Sequence, residues 1–216
     1  MSRIVTFPFS ARRSQFSRRR RIVAWALVVA VAALAAAARA RAQSTNAAAF
    51  DVHPAVGALL GIGDMHDAFK SAVVVGAQAS WAFHPSFALV GSFAYSPSQD
   101  KLSVARPKLD IYEYDLGIKG RLEDLTSGSV ISTRPYAIIG GGARTYDYRN
   151  LAGTSAQTNP LGFGAIGLDL SEAGGPFGLR LEARDNLTAF KGFRGELADR
   201  KARNDIQLSA GVTVAF

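Results

Sequence analysis

Charged residues recur at alternate positions in three short stretches of this 216-residue chain, and that spacing limits the chemistry they can do. Glu113, Asp115, Lys119 and Arg121 share one parity; Arg180, Glu182 and Arg184 repeat the pattern; Asp205 and Gln207 lie near the carboxyl end. Side chains two residues apart point to the same side of a strand. Each stretch therefore presents one charged face, with Glu113 and Asp115 beside Lys119 and Arg121, and Glu182 between two arginines. Mixed signs on one face suit an enclosed network in which carboxylates and cations satisfy one another. Such a network can be purely structural, plugging an interior, or can line a narrow gated passage for water or small ions.

Other residues invite a chemical reading and sustain it less well. Asp64, His66 and Asp67 offer N and O donors for a divalent cation, but a polar solvated loop uses the same residues. His53 and His84 fall in a strand and a turn, with no nucleophile at a fixed spacing. Gly162-Phe163-Gly164-Ala165-Ile166-Gly167 matches G-x-G-x-x-G, with Glu182 downstream. A dinucleotide site needs a strand before that motif and a helix opening on it. Here the glycines lie inside a strand pattern, and Gly174-Gly175-Pro176 interrupts the stretch where that helix would run. Residues 187–203 hold Lys191, Arg194, Arg200, Lys201 and Arg203 against Glu196 and Asp199, a basic loop able to touch phosphates. No catalytic residue, cofactor or metal is assigned.

The elements that position these residues read as strands. The last thirteen residues alternate Ile206, Leu208, Ala210, Val212, Val214 and Phe216 with Asp205, Gln207, Ser209, Gly211, Thr213 and Ala215. Residues 108–121 alternate as sharply: Tyr112, Tyr114, Leu116 and Ile118 oppose the charges, a pattern a helix would smear around its cylinder. Further strands are expected over 50–62, 71–83, 86–95, 134–146, 160–170 and 177–186, which makes eight. Small residues leave the facing of 134–146 and 160–170 ambiguous, with a bulge expected near Ala165-Ile166. Pro54 suits a strand end or a bulge. Connections alternate between short (84–86, 171–176) and long (63–70, 96–107, 147–159, 187–203), with 122–132 intermediate. Aromatics gather towards strand ends: Trp81, Phe83, Phe87, Phe177 and Phe216 at one rim, and Phe93, Tyr95, Tyr112, Tyr114, Tyr146 and Tyr148 at the other.

The amino terminus reads as an export signal over 1–42. Arg3, Arg12, Arg13 and Arg18 to Arg21 precede an apolar run from Ile22 to Ala38, and Ala40-Arg41-Ala42 fits a cleavage site. An uncleaved anchor and a twin-arginine signal are weaker readings of the same residues. Residues 43–49 form a short leader, and 50–216 form one domain. Nine of the 25 basic residues lie in the signal, leaving 16 against 17 acidic residues, so the overall +8 does not mark a nucleic-acid binder. There is no cysteine, so burial and hydrogen bonds must hold an exported domain together.

Which face is inside is not fixed by alternation. A soluble ligand-binding barrel would turn Tyr112, Tyr114, Leu116 and Ile118 inward. The export signal, the aromatic closing strand, the small residues and the paired signs on the polar faces favour the inverse. On Arg134-Pro135-Tyr136-Ala137 running into Gly140-Gly141-Gly142, on Leu179 to Asp185, and on Val212-Thr213-Val214-Ala215-Phe216, the chain resembles the small eight-stranded outer-membrane β-barrels, the OmpA/OmpX-like barrel domain. The resemblance covers 50–216 and implies an all-β, closed, antiparallel, up-and-down transmembrane barrel in the outer membrane of a Gram-negative cell. Val212, Val214 and Phe216 would then be its assembly signature. Barrel-assembly machinery, periplasmic chaperones, outer-membrane lipid and lipopolysaccharide would be its partners, and the barrel would be a monomer. No peptidoglycan-binding domain is expected beyond Phe216, so a tethering role does not carry over. The expected role is structural or surface-interacting, with a lumen plugged by paired charges. A small porin-like channel and a lipid A-modifying enzyme, of the kind that uses His with Ser and a carboxylate, are the alternatives.

Overall fold

The computed structural model describes residues 50–126, 130–149, 156–172, 176–190 and 202–216. The expected signal and leader lie outside them. The strands are β1 (Phe50–Gly61), β2 (Ala72–His84), β3 (Phe87–Gln99), β4 (Lys108–Arg121), β5 (Ile131–Tyr148), β6 (Gln157–Glu172), β7 (Phe177–Thr188) and β8 (Arg203–Ala215). One short helix, α1 (Asp64–Ala68), comes after β1. Each strand pairs antiparallel with the next, and β1 pairs with β8, so the sheet closes into an eight-stranded barrel. Closure leaves no open edge, so ladder partners exist on both sides of every strand.

Two ends can be defined. The termini end carries Phe50, Ala215 and the links after β2, β4 and β6; the loop end carries the links after β1, β3, β5 and β7. The links after β2 (85–86) and β6 (173–176) are short as expected, but the link after β4 (122–130) is as long as those after β3 (100–107) and β5 (149–156), so the expected alternation holds only in part. β3, β5 and β6 run further than the sequence pattern indicates, because cross-strand pairing extends them into polar positions: Gln99 pairs with Lys108, and Tyr146 with Gln157.

The large apolar residues point outward. Leu116 is 63% exposed and its neighbour Asp115 is 8% exposed, which settles the facing of β4. Val73, Val75, Trp81, Phe87, Leu89, Phe93, Ile118, Ile139, Ile166, Leu179, Leu181, Leu208 and Val212 are all exposed. The facing of β5 and β6 is now fixed. Tyr136, Ile138, Arg144, Tyr146 and Tyr148 face inward on β5, as do Leu161, Phe163 and Ala165 on β6. Tyr146 and Tyr148 are thus not rim aromatics but buried lumen residues, because they share the parity of Arg144. Tyr95 and Tyr112 do face outward, with ring centroids 5.3 Å apart. The expected bulge at Ala165-Ile166 is absent: β6 keeps one register with β5 and with β7 throughout. The irregularity lies at Ala82/His84, in the β2–β3 hairpin.

Pro54 is neither at a strand end nor in a bulge. It sits within β1 opposite Ala77, while the β1–β8 pairing passes from Val52↔Val214 to Ala55↔Gly211 and skips His53 and Pro54. Proline has no N–H to give to a ladder, so the gap falls at the closing seam. Gly211 stands across it, and a Cβ there would lie 2.1 Å from the Pro54 carbonyl oxygen.

Candidate functional site

The interior holds the charged residues in two tiers. Near the termini end, Lys119 Nζ contacts Asp169 at 2.5 Å, and Arg180 bridges Asp169 at 2.6 Å and Asp51 at 3.3 Å. Arg121 also reaches Asp51, at 2.9 Å. Glu182 accepts from Gln78 at 2.9 Å and from the Tyr136 hydroxyl at 2.8 Å. The Lys119 ammonium lies 3.9 Å from the Tyr136 ring centroid, a cation–π contact that adds to its pairing. Lys119, Arg121 and Arg180 thus balance Asp51, Asp169 and Glu182. Gly167 makes the tier possible: a Cβ there would meet the Tyr136 hydroxyl at 2.4 Å.

Towards the loop end, Arg144 is fully buried and binds two carboxylates, Glu113 at 2.7 Å and both oxygens of Asp205. Asn186 donates to Asp205 at 3.1 Å. Between the tiers Arg184 contacts Asp115 at 2.6 Å and Asn186 at 2.7 Å, with its guanidinium 3.6 Å from the Phe163 ring centroid. Ser92 donates to Asp115 from across the β3–β4 pair. A cavity of about 20 Å³ beside Asp115, Arg184, Gln78 and Gln207 has room for about one water molecule.

All eight of the lumen charges expected from sequence, and Gln207, therefore point inward. The structure joins Glu113 to Asp205, and Asp115 to Arg184, through contacts that cross the lumen rather than run along one strand. It adds Arg144, Asp51, Asp169 and Tyr136, which sequence reasoning missed. Arg144 comes just after Gly140-Gly141-Gly142, where small residues erase the alternation; its parity with Tyr146 and Tyr148 was the available signal.

The lining is not uniformly hydrophilic. Leu59, Met65, Phe69, Val74, Leu109, Ile111, Tyr146, Tyr148 and Phe190 form a buried cluster across the loop end. Phe190 stacks on Tyr146 with centroids 4.2 Å apart, and Arg203 donates to its carbonyl at 3.0 Å. A second cluster, Val90, Tyr136, Ile138, Phe163 and Ala165, fills the lumen between the charges. Apolar side chains thus close the loop end, whereas Asp169 and Arg121 at the termini end keep 19% and 18% side-chain exposure.

The remaining candidates separate. His66 contacts Asp67 at 3.2 Å on the surface of α1, while Asp64 leans to Arg203 at 3.6 Å. Among the described residues no three potential metal ligands come together. His53 is buried in the lumen near Thr213, and His84 accepts from the Ser86 N–H at 3.2 Å in its turn. Gly162 to Gly167 lie inside β6, where no helix opens on them. In the turn after β4, Asp124 accepts from the Thr126 and Thr133 N–H groups, both at 2.9 Å. The Ser132 hydroxyl and these two N–H groups hold its carboxyl well below the usual carboxylate range. Among the described residues no helix is long and apolar enough to cross a membrane, a statement that has no bearing on strands.

No family model and no curated protein matches the chain. The closed eight-stranded arrangement defines its class, and solved structures share it: the chain has the fold of the small eight-stranded outer-membrane barrels. The amino-terminal barrel domain of Pseudomonas aeruginosa OprF aligns with a TM-score of 0.51 at 14% identity, over 79% of this chain and 98% of that one. Neisserial surface protein A aligns at 0.53 and 14%, over 78% and 97%. OprG of Pseudomonas aeruginosa aligns at 0.50 and 13%, over 81% and 98%.

Proposed function

We propose that this chain is an integral outer-membrane protein with a structural or surface-interaction role and a lumen closed to solutes. The observation that carries the reading is its inverted distribution of polarity. A band of Val, Leu, Ile, Phe and Trp covers the outside while arginines and carboxylates are enclosed. Water rewards the opposite arrangement; a bilayer rewards this one, because a closed barrel also satisfies its backbone in hydrocarbon. At about 3.3 Å per residue and a tilt near 40°, the outward stretch of β3 from Phe87 to Tyr95 spans roughly 20 Å. Outer-membrane barrels carry an apolar band of about 25 Å. Hydroxyl groups of Tyr114, Thr145 and Thr158 link up outside towards the loop end, with 2.8 Å between the threonines, where an interface would begin.

A Trp25→Phe variant leaves Trp81, which is 48% exposed, as the only tryptophan. In refolded vesicles, brominated acyl chains should quench its emission and aqueous iodide should not. Quenching by iodide alone would turn the barrel inside out and end the reading. The apolar closure of the loop end favours a plug over a channel. Planar bilayers containing the protein should show no stable unitary conductance steps.

A further inference from the structure

The links after β1 (62–71) and β3 (100–107) are knitted at the loop end. Phe69 bridges Asp100, the Lys70 N–H donates to Gln99 at 2.9 Å, and the Lys101 N–H donates to Ala68 at 2.8 Å. Gln99 pairs with Lys108, whose carbonyl accepts the Arg149 N–H at 2.8 Å. Lys70, Gln99, Lys108 and Arg149 therefore form a row across four adjacent chain segments, about 4.8 Å apart. Lys101 and Arg106 flank it, and Lys70, Lys101, Arg106 and Lys108 are all exposed.

The carboxylates nearby are mostly committed elsewhere. Asp100 is buried, accepting from the Leu102 N–H at 2.8 Å, the Ser103 N–H at 3.1 Å and the Tyr148 hydroxyl at 3.1 Å. Asp110 is held by Arg149 and by the Tyr95 hydroxyl. Asp64 faces Arg203, whereas Asp67, exposed beside the imidazole of His66, offsets one cation. Asp147, opposite Asp110, offsets a second. The ridge thus keeps a positive surplus directly beyond the outward pair Tyr95 and Tyr112.

We propose that this ridge binds the phosphates of the anionic glycolipid in the leaflet around the loop end, an inference that rests on the membrane reading above. An aromatic pair marks headgroup depth, and cations one row further out stand level with headgroup phosphates, which accept charged hydrogen bonds. The backbone bonds fix the spacing of the row before any lipid arrives. The ridge lies on the β2–β5 side of the barrel, not on the 187–203 loop that the sequence singles out.

The test is titration of the refolded full chain, in phosphatidylcholine nanodiscs, with lipopolysaccharide. Lys101 is left intact because its Nζ donates to the His66 carbonyl at 2.5 Å. K70Q/R106Q/K108Q should raise the Kd by roughly a hundredfold, taking about a fivefold effect for each of the three cations at a charged leaflet. A K191Q/R194Q/R200Q/K201Q variant should bind as wild type. The heat-shifted gel migration of both variants should match wild type, which shows the barrel intact. Unchanged affinity in the ridge variant, or loss confined to the last-loop variant, overturns the proposal. Tighter binding of heparin or of inorganic phosphate than of lipopolysaccharide overturns the assigned occupant. Failure of the wild type to enter nanodiscs brings down the membrane reading instead, and this inference with it.

Discussion

Arg144 is the residue on which the loop-end tier turns. It is the one cation shared by Glu113 and Asp205, and all three side chains are essentially without solvent. Removing one partner of a buried pair leaves an uncompensated charge, which costs about 3–5 kcal/mol. Arg144→Met should destabilise the barrel by that order in urea titrations of vesicle-bound protein. The triple change Arg144→Met/Glu113→Gln/Asp205→Asn should recover most of it, because no net charge is then stranded. Equal loss in both variants would show that the ion pairs contribute packing rather than charge balance. Asp124 makes a different prediction, one of pH. Its folded carboxyl is depressed, so it contributes stability that is present above the ordinary carboxylate range and lost as pH falls through the folded value. Asp124→Asn should lower the unfolding midpoint at neutral pH, and the gap to wild type should shrink on acidification below about pH 4. A gap that widened in acid would contradict the sign.

At the scale of the strand, legibility depended on contrast in side-chain size and charge. β4, β7 and β8 could be read with their facing because charges alternate with Leu, Ile and Val. β5 and β6 could be located but not oriented, because Gly140, Gly141, Gly142, Gly162 and Gly164 fall on both parities. Arg144, Asp169 and the inward Tyr146 and Tyr148 were hidden by that loss of contrast. Asp51 was hidden differently, since its partners Arg121 and Arg180 come from distant strands that only closure brings near. The glycines also predict sensitivity. Gly167→Ala should displace Tyr136 from Glu182 and cost about 1–3 kcal/mol. Gly164→Ala meets no atom within 4 Å and should be near neutral in the same assay.

At the scale of the whole barrel, the lumen is asymmetric. Its loop end is closed by packed apolar side chains, whereas its termini end keeps partly accessible charges. Small water-borne thiol reagents should therefore label Asp169→Cys from the termini side faster than Asn186→Cys from either side. Equal labelling from both sides would argue for a wetted passage. The interrupted ladder at His53 and Pro54 has its own consequence. A cylinder sewn from eight staves comes apart where the stitching is thinnest, and here the missing stitch lies between the first stave and the last. Deuterium uptake on warming should thus begin along that join and travel outward from it, leaving the β4–β5 contact, paired without interruption from Leu109 to Arg121, as the final part to loosen.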